Sequence, residues 1–246
     1  MTARLALVTG GIGGIGTAAC RRLARDGFRV IASDLPASDD KLRAFTQAMD
    51  GMDVGFEAAD VSRMDSCVTL VERIQSAHGT ISILVNGAGI TRDVSLRKMS
   101  LDQWQQVMQV NLDSVFNLCR LVVDGMCAQG HGRIVNLSSI IGQTGAFGQS
   151  NYAAAKAGMH GFTMALAREV SAKGVTVNSI SPGYIDTAMT AAIPTELRNQ
   201  MIGAIPVGRI GLPDDVANAI SFLCGEQCGY LTGINLPVNG GLFMSF

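Results

Sequence analysis

No run of the sequence reaches the ~18 consecutive apolar residues that a membrane-spanning helix needs, so no span is expected. A basic stripe is also missing: 19 Lys and Arg face 20 Asp and Glu, leaving a formal net charge of −1 spread along the chain. Nucleic acid, which demands clustered positive charge, is not an expected partner. Pro, Gly and Ser are not gathered into a linker, and no internal repeat or low-complexity tract appears. Residues 1–246 are therefore expected to form one domain. The start, MTARLALVTGG, enters a strand-like run at once and lacks the regions of a signal peptide, which predicts a cytoplasmic protein. Six cysteines (Cys20, Cys67, Cys119, Cys127, Cys224, Cys228) have no neighbouring Cys or His pair to complete a zinc site. They are expected as reduced, buried thiols, and no metal is expected. What is plentiful is apolar residue, 48% of the chain, enough for a large core.

That apolar content falls into a rhythm. Short, nearly continuous apolar runs at 4–9, 29–33, 54–59, 81–86, 132–138, 175–181 and 233–238 read as strands covered on both faces. Helical segments lie between them, near 14–26, 39–49, 64–78, 101–128, 152–172 and 214–224. Strict alternation of this kind predicts an α/β fold with a doubly wound parallel sheet. Residues 182–212 break the rhythm with SPGY, IPTE and IPVGRIGLP, and are too long for an ordinary connection. An excursion there, at the carboxyl end of a strand, is where a substrate lid would sit.

The first loop, VTGGIGGIG at 8–16, allows two glycine registers: Gly11, Gly13 and Gly16 as G-x-G-x-x-G, or Thr9, Gly10, Gly14 and Gly16 as T-G-x-x-x-G-x-G. Either way, a glycine-rich turn between strand and helix lets backbone approach a phosphate, and the helix N-terminus supplies free N–H groups. Asp34 ends the second strand, 23 residues after Gly11, close to the ~20-residue offset of a carboxylate that bonds an adenosine ribose. Its neighbours Ser33 and Leu35 offer no cation, so NAD(H) is favoured and NADP(H) is the alternative. Asp60, ending the third strand, either contacts adenine or caps the following segment.

Farther along, Tyr152 and Lys156 stand four apart on one helix face, where an ammonium is expected to lower a phenol's pKa and make it a usable acid or base. Ser138 and Ser139 end the preceding strand, where open α/β sheets form their ligand crevice. Asn111, polar among apolar helix residues, is either a buried structural hydrogen bonder or part of a proton relay. Hydride transfer with Tyr152 as the acid accounts for all of these together.

These motifs, with NGAG at 86–89 and SPG at 181–183, resemble the short-chain dehydrogenase/reductase pattern over essentially the whole chain. The resemblance implies a Rossmann-type fold. Gly10, Gly14, Ile15 and Gly16 would cradle the pyrophosphate, Asp34 would meet the ribose, and Asp60 and Val61 the adenine. It further implies Asn86, Ala88 and Gly89 along the cofactor, with Pro182, Gly183, Ile185 and Thr187 around the nicotinamide. Tyr152 would be the acid, Lys156 would bind the nicotinamide ribose and lower the tyrosine pKa, Ser139 would orient the carbonyl, and Asn111 would hold a relay water. One departure is Gly87, where the family usually has asparagine, which is expected to loosen that turn.

Within the family, GITRD at 89–93, RKM at 97–99, residues 147–167 and PGYIDT at 182–187 look most like the reductases of acetoacetyl-CoA that serve polyhydroxybutyrate synthesis. That likeness implies an acyl-CoA substrate held by Asp93, Lys98, Phe147, Gln149 and Tyr184, and a homotetramer. The related reductases of acyl-carrier-protein thioesters present basic residues before the fifth strand and after the long helix. This chain has Gln129, Gly130 and His131 at the first place and Lys173 at the second. A different class, a non-catalytic dinucleotide-binding sensor, would have no need of Asn111, Ser139, Tyr152 and Lys156 together.

Overall fold

A computed structural model describes residues 3–191 and 195–244. The first two residues, Ile193 and Pro194 of the IPTE stretch, and the last two residues of the apolar C-terminal end lie outside the described residues. Seven strands form one parallel sheet: β1 (Leu5–Thr9), β2 (Arg29–Asp34), β3 (Val54–Ala58), β4 (Ile81–Asn86), β5 (Gly132–Leu137), β6 (Val175–Pro182) and β7 (Asn235–Val238). Their spatial order is β3-β2-β1-β4-β5-β6-β7. The chain steps outward from β1 to β3 and then returns to start again at β4, so the connections leaving β1 and β4 diverge and open a crevice between their carboxyl ends.

The helices follow the expected alternation: α1 (Gly14–Arg25), α2 (Asp39–Ala48), α3 (Met64–His78), α4 (Leu101–Met108), α5 (Ser114–Ala128), α6 (Ile141–Thr144), α7 (Ser150–Val170), α8 (Ala188–Ala191), α9 (Thr195–Gly203) and α10 (Pro213–Cys224). All five residues of β1 are buried because both faces are covered. Leu5 and Leu7 pack with Leu84, Leu118, Met159 and Val177 on one side of the sheet. Ala6 and Val8 pack with Leu23, Val30, Ile83, Val135 and Leu223 on the other. Five of the six cysteines are buried in or beside these layers, and all are free thiols. No helix among the described residues is long and apolar enough to cross a membrane.

The expected single helix over 101–128 is in fact three segments. A π-helical stretch, Gln109–Asp113, joins α4 to α5 and carries Asn111 at its centre. α4 itself begins at a capping box in which Ser100 and Gln103 satisfy each other's backbone N–H groups. The excursion after β6 contains α8 and α9 and closes on itself: Ile185 bridges Gly211, with Gly211 N–H donating to Tyr184 and Asp186 N–H donating to Gly211.

Candidate active site

The crevice above β1 and β4 is a cleft of about 600 Å³, floored by the glycine loop, the ends of β2 and β3, and the turn after β4. Steric demand separates the two glycine registers. A Cβ on Gly16 would lie 2.0 Å from the Gly10 carbonyl oxygen, and one on Gly14 would meet Thr187 at 3.0 Å. Gly10 has φ +63°, and its Cβ would fall 2.7 Å from the Gly87 oxygen. Gly13 is the least constrained, its Cβ only 3.2 Å from Gly10. Gly11 is sterically required, but by Ala32 at 2.7 Å beneath the loop and not by the cleft. The positions 10, 14 and 16 therefore shape the cleft floor.

α1 begins at Gly13 with no side-chain cap, so its first N–H groups remain open toward the cleft. A cradle that any Cβ would fill, ending in uncapped N–H donors, fits the diphosphate of a dinucleotide. At the adenosine end, Asp34 lines the cleft and one carboxylate oxygen is fixed by the Leu35 N–H at 2.9 Å. Asp60 also lines it, with Oδ1 accepting from Ser62 N–H at 3.0 Å and Ser62 Oγ at 2.6 Å. Asp60 thus caps its own turn and lines the cleft beside Val61. Arg92 and Lys156 are the cations among the cleft-lining residues, and neither belongs to the strand ends that carry Asp34 and Asp60.

The turn after β4 is pinned, not loosened, by Gly87. Thr9 Oγ1 accepts the Gly87 N–H at 3.1 Å and the Ala88 N–H at 3.4 Å, and a Cβ on Gly87 would lie 2.7 Å from the Thr9 oxygen. Gly89 is equally tight, its Cβ position 2.7 Å from Asn111 Oδ1 and 3.5 Å from Lys156 Nζ.

At the other end of the cleft α7 brings Tyr152 and Lys156 to the end of β5. Lys156 is buried and its Nζ donates to the Leu137 carbonyl at 2.6 Å, 5.6 Å from the centre of the Tyr152 ring. Burial pulls its pKa down to about 8. Ser139, next along the chain from Ser138 at the end of β5, is near enough to the Tyr152 phenol to act on it. Burial pushes this phenol above its ordinary value, Ser139 opposes that shift, and the negative charge of Asp93 adds to it. The expectation that Lys156 lowers the tyrosine pKa is therefore corrected: the ammonium sits on Leu137 beneath the ring, and burial dominates. Of the two serines, Ser138 is committed, donating to the Lys156 carbonyl at 2.9 Å, while Ser139 accepts the Ile141 N–H at 3.1 Å, which leaves its own proton free to donate.

Asn111 is buried with its side chain fully used. Oδ1 accepts the Ile90 N–H at 3.2 Å, and Nδ2 donates to Ile90 and Val107 carbonyls at 2.9 and 2.8 Å. Its amide is a clamp on the turn after β4, so a relay water has only its backbone to hold. The π-helical turn around it interrupts the i→i−4 ladder.

Other expected residues do not reach the cleft. Asn86 turns its side chain below it, donating to Asn136 at 2.8 Å within the sheet, because strand residues alternate faces. Pro182 and Thr187 line the cleft; Gly183 instead packs against Asn239, and Ile185 is buried in the core. Tyr184 lines a separate cavity of about 340 Å³ with Ile205, Val207 and Arg209. At the rim, Gln149 donates to Asp93 at 2.8 Å, whereas Lys98 is exposed on a neighbouring turn and Phe147 is 95% exposed. Sequence reasoning passed over Arg92, Gln106 and Val110, which line the cleft, and Asn151, which stands directly before Tyr152. Of these, Asn151 carried a signal: a polar residue inside the SNYAAAK motif.

Comparison with known proteins accords with this arrangement. The family model described as short chain dehydrogenase matches residues 4–198. An acetoacetyl-CoA reductase of Allochromatium vinosum is 56% identical over 244 residues, covering 98% of this chain and 99% of its own. An acetoacetyl-CoA reductase of Cupriavidus necator is 49% identical over 99% of this chain and 100% of its own. A 3-oxoacyl-[acyl-carrier-protein] reductase of Pseudomonas aeruginosa is 43% identical over 98% of both. With the glycine cradle and the paired Tyr152 and Lys156 in one cleft, the chain belongs to the short-chain dehydrogenase family and is an oxidoreductase.

Proposed function

We propose that the protein reduces acetoacetyl-CoA to (R)-3-hydroxybutyryl-CoA, with NADH as the preferred donor and with residues 1–246 forming one catalytic domain. The observation that carries this reading is Tyr152 with buried Lys156, its Nζ donating to Leu137, 5.6 Å from the ring centre in a dinucleotide-shaped cleft. The dinucleotide, when bound, supplies a hydride to the carbonyl carbon. Tyr152, held protonated by burial, gives its proton to the carbonyl oxygen as that oxygen gains charge. Ser139 offers a second hydroxyl beside it and orients the carbonyl. Lys156 has ammonium protons beyond the one given to Leu137 for a ribose hydroxyl. Gly10, Gly14, Ile15 and Gly16 would hold the diphosphate, and Asp34 the free ribose hydroxyls. A 2′-phosphate would meet the Asp34 carboxylate with no cation from the adjoining strand ends to offset it.

The choice of thioester carrier is supported by the residues at the amino end of β5. His131 is held neutral, its pKa pushed down to about 4 by burial and then by Arg133 and Arg4. Gln129 is engaged locally, with Nε2 donating to Ser82 and to the His131 carbonyl. Arg133 is buried, Arg4 is paired with Glu226, and Lys173 is the exposed cation of the two places, which favours CoA; the 43% identical carrier-protein reductase keeps the alternative substrate in view. The free buried thiols suit a reducing, cytoplasmic setting. Phe116 on α5, Met164 on α7 and Phe222 on α10, each about half exposed, suit the homotetramer.

Steady-state rates with acetoacetyl-CoA and with an acetoacetyl carrier-protein thioester, each with NADH and NADPH, test the reading. The expected result is the highest kcat/KM for acetoacetyl-CoA with NADH. A higher value for the carrier-protein thioester, or for NADPH, overturns the corresponding half.

A further inference from the structure

Asn151 is polar, 0% exposed, and lies next to Tyr152 in the first turn of α7. Its side-chain oxygen accepts the Tyr152 backbone N–H at 2.8 Å. Its amide nitrogen donates to the Arg92 carbonyl at 3.2 Å and the Gln103 carbonyl at 3.3 Å. One acceptor and both donors are thus used, and each bond goes to a different part of the fold: α7, α4 and the loop after β4. The N-cap residue Gln149, two positions before it, gives α7 no side-chain cap, so Asn151 satisfies an N–H that the helix start leaves open.

The loop that Asn151 grips is the rim of the cleft. Beyond Arg92, Asp93 accepts from Gln149 at 2.8 Å, and Val94 N–H donates to the Gly148 carbonyl at 2.8 Å. Residues 92–94 and 148–152 are therefore laced together around the mouth, with Asn151 the innermost tie. Asp93 is also close enough for its charge to act on the Tyr152 phenol. A cap alone needs one acceptor; two donors aimed at carbonyls on other elements fix where α7 begins relative to that rim.

We propose that Asn151 is a positioning residue of the reduction, its amide setting the place of Tyr152 against the Arg92–Asp93 rim. This rests on Tyr152 being the proton donor. A serine at 151 keeps an acceptor for the helix start and cannot span to Arg92 and Gln103. An aspartate keeps the shape and the acceptor, and sets a carboxylate against two carbonyl oxygens.

The test compares Asn151→Ser and Asn151→Asp with the parent enzyme. Four quantities are read: NADH affinity by fluorescence titration, melting temperature, kcat and KM for acetoacetyl-CoA, and the pH dependence of kcat. For Asn151→Ser, NADH affinity stays within about twofold, because the cofactor cradle is remote from the tie. kcat falls by about ten- to a hundredfold, the scale of a misplaced reacting group. The alkaline limb moves to lower pH, as water reaches the phenol between Lys156 and Asp93. Asn151→Asp loses more, and supplies the same comparison if the serine variant does not fold. A folded variant with the parent's kcat and pH profile overturns the inference, as does a fall in kcat that only follows loss of folded protein with the profile unmoved. A Tyr152→Phe enzyme run alongside separates the two readings. If it is inert while Asn151→Ser matches the parent, the positioning role alone falls; if it is active, the proton donor is wrong and both fall.

Discussion

The two ends of the cleft are built by opposite means. The adenosine end is made of backbone and neighbours in sequence: Gly10, Gly14 and Gly16 in one turn, then Asp34 at the next strand's end. The catalytic end is made of side chains that the parallel sheet gathers from afar, with Ser139 after β5, Tyr152 and Lys156 on α7, and Asn111 in the π-helical turn before α5. One end is acidic and accessible; the other holds a buried cation beneath a half-buried phenol. Binding is therefore organised by shape, and chemistry by burial, and each end is open to separate attack.

Removing the phenol's hydroxyl strikes only the catalytic end and has the largest expected effect. Tyr152→Phe loses the proton donor while leaving the glycine cradle intact. kcat for acetoacetyl-CoA should fall by about 10²–10⁴-fold, with NADH affinity within about twofold of the parent. Retained turnover would mean that the two ends are not divided as described.

Asp34→Gly strikes the opposite end and has a smaller effect. The carboxylate lines the cleft but is partly exposed, so solvent screens its repulsion of a 2′-phosphate. The NADH/NADPH ratio of kcat/KM should fall by about ten- to a hundredfold, which is roughly 1.4–2.8 kcal/mol. The kcat with saturating NADH should change little, because Asp34 touches no reacting atom. An unchanged ratio would remove Asp34 as the discriminating charge.

The same division explains what the sequence made legible. All seven strands and the main helices were readable, because parallel strands covered on both faces leave continuous apolar runs. The glycine cradle was readable because it is contiguous. The π-helical turn at Gln109–Asp113 was not, since inserting one residue into a helix leaves its apolar periodicity almost unchanged over 101–128. Side-chain direction was also hidden: Asn86 fits a motif of cleft residues, yet the strand's alternation turns its amide toward Asn136. Tyr184 looked like a neighbour of Phe147 and Gln149, but the Ile185–Gly211 bridge folds it into a second cavity. The sign of the Tyr152 shift was missed for a similar reason. Spacing along a helix puts Lys156 near the ring, while the sheet's own carbonyl at Leu137 takes the ammonium.

Lys156 gives the finest test, because there the catalytic end works against the fold. Its pKa is lowered from 10.5 to about 8 by burial, so between those values the folded chain holds fewer protons than the unfolded one. Stability from this group is lowest below pH 8 and rises as pH climbs toward 10.5. The shift of about 2.5 units corresponds to at most about 3 kcal/mol lost at neutral pH. Lys156→Met removes that penalty and leaves the Leu137 carbonyl without its donor, which costs about 1–3 kcal/mol. The net expectation is a gain of about 1 kcal/mol, seen as a melting temperature about 2–4 °C higher at pH 7. The difference from the parent should fade as pH approaches 10.5, while activity is lost at every pH. A variant less stable than the parent at pH 7 would show that Lys156 holds the fold together as well as serving the reaction.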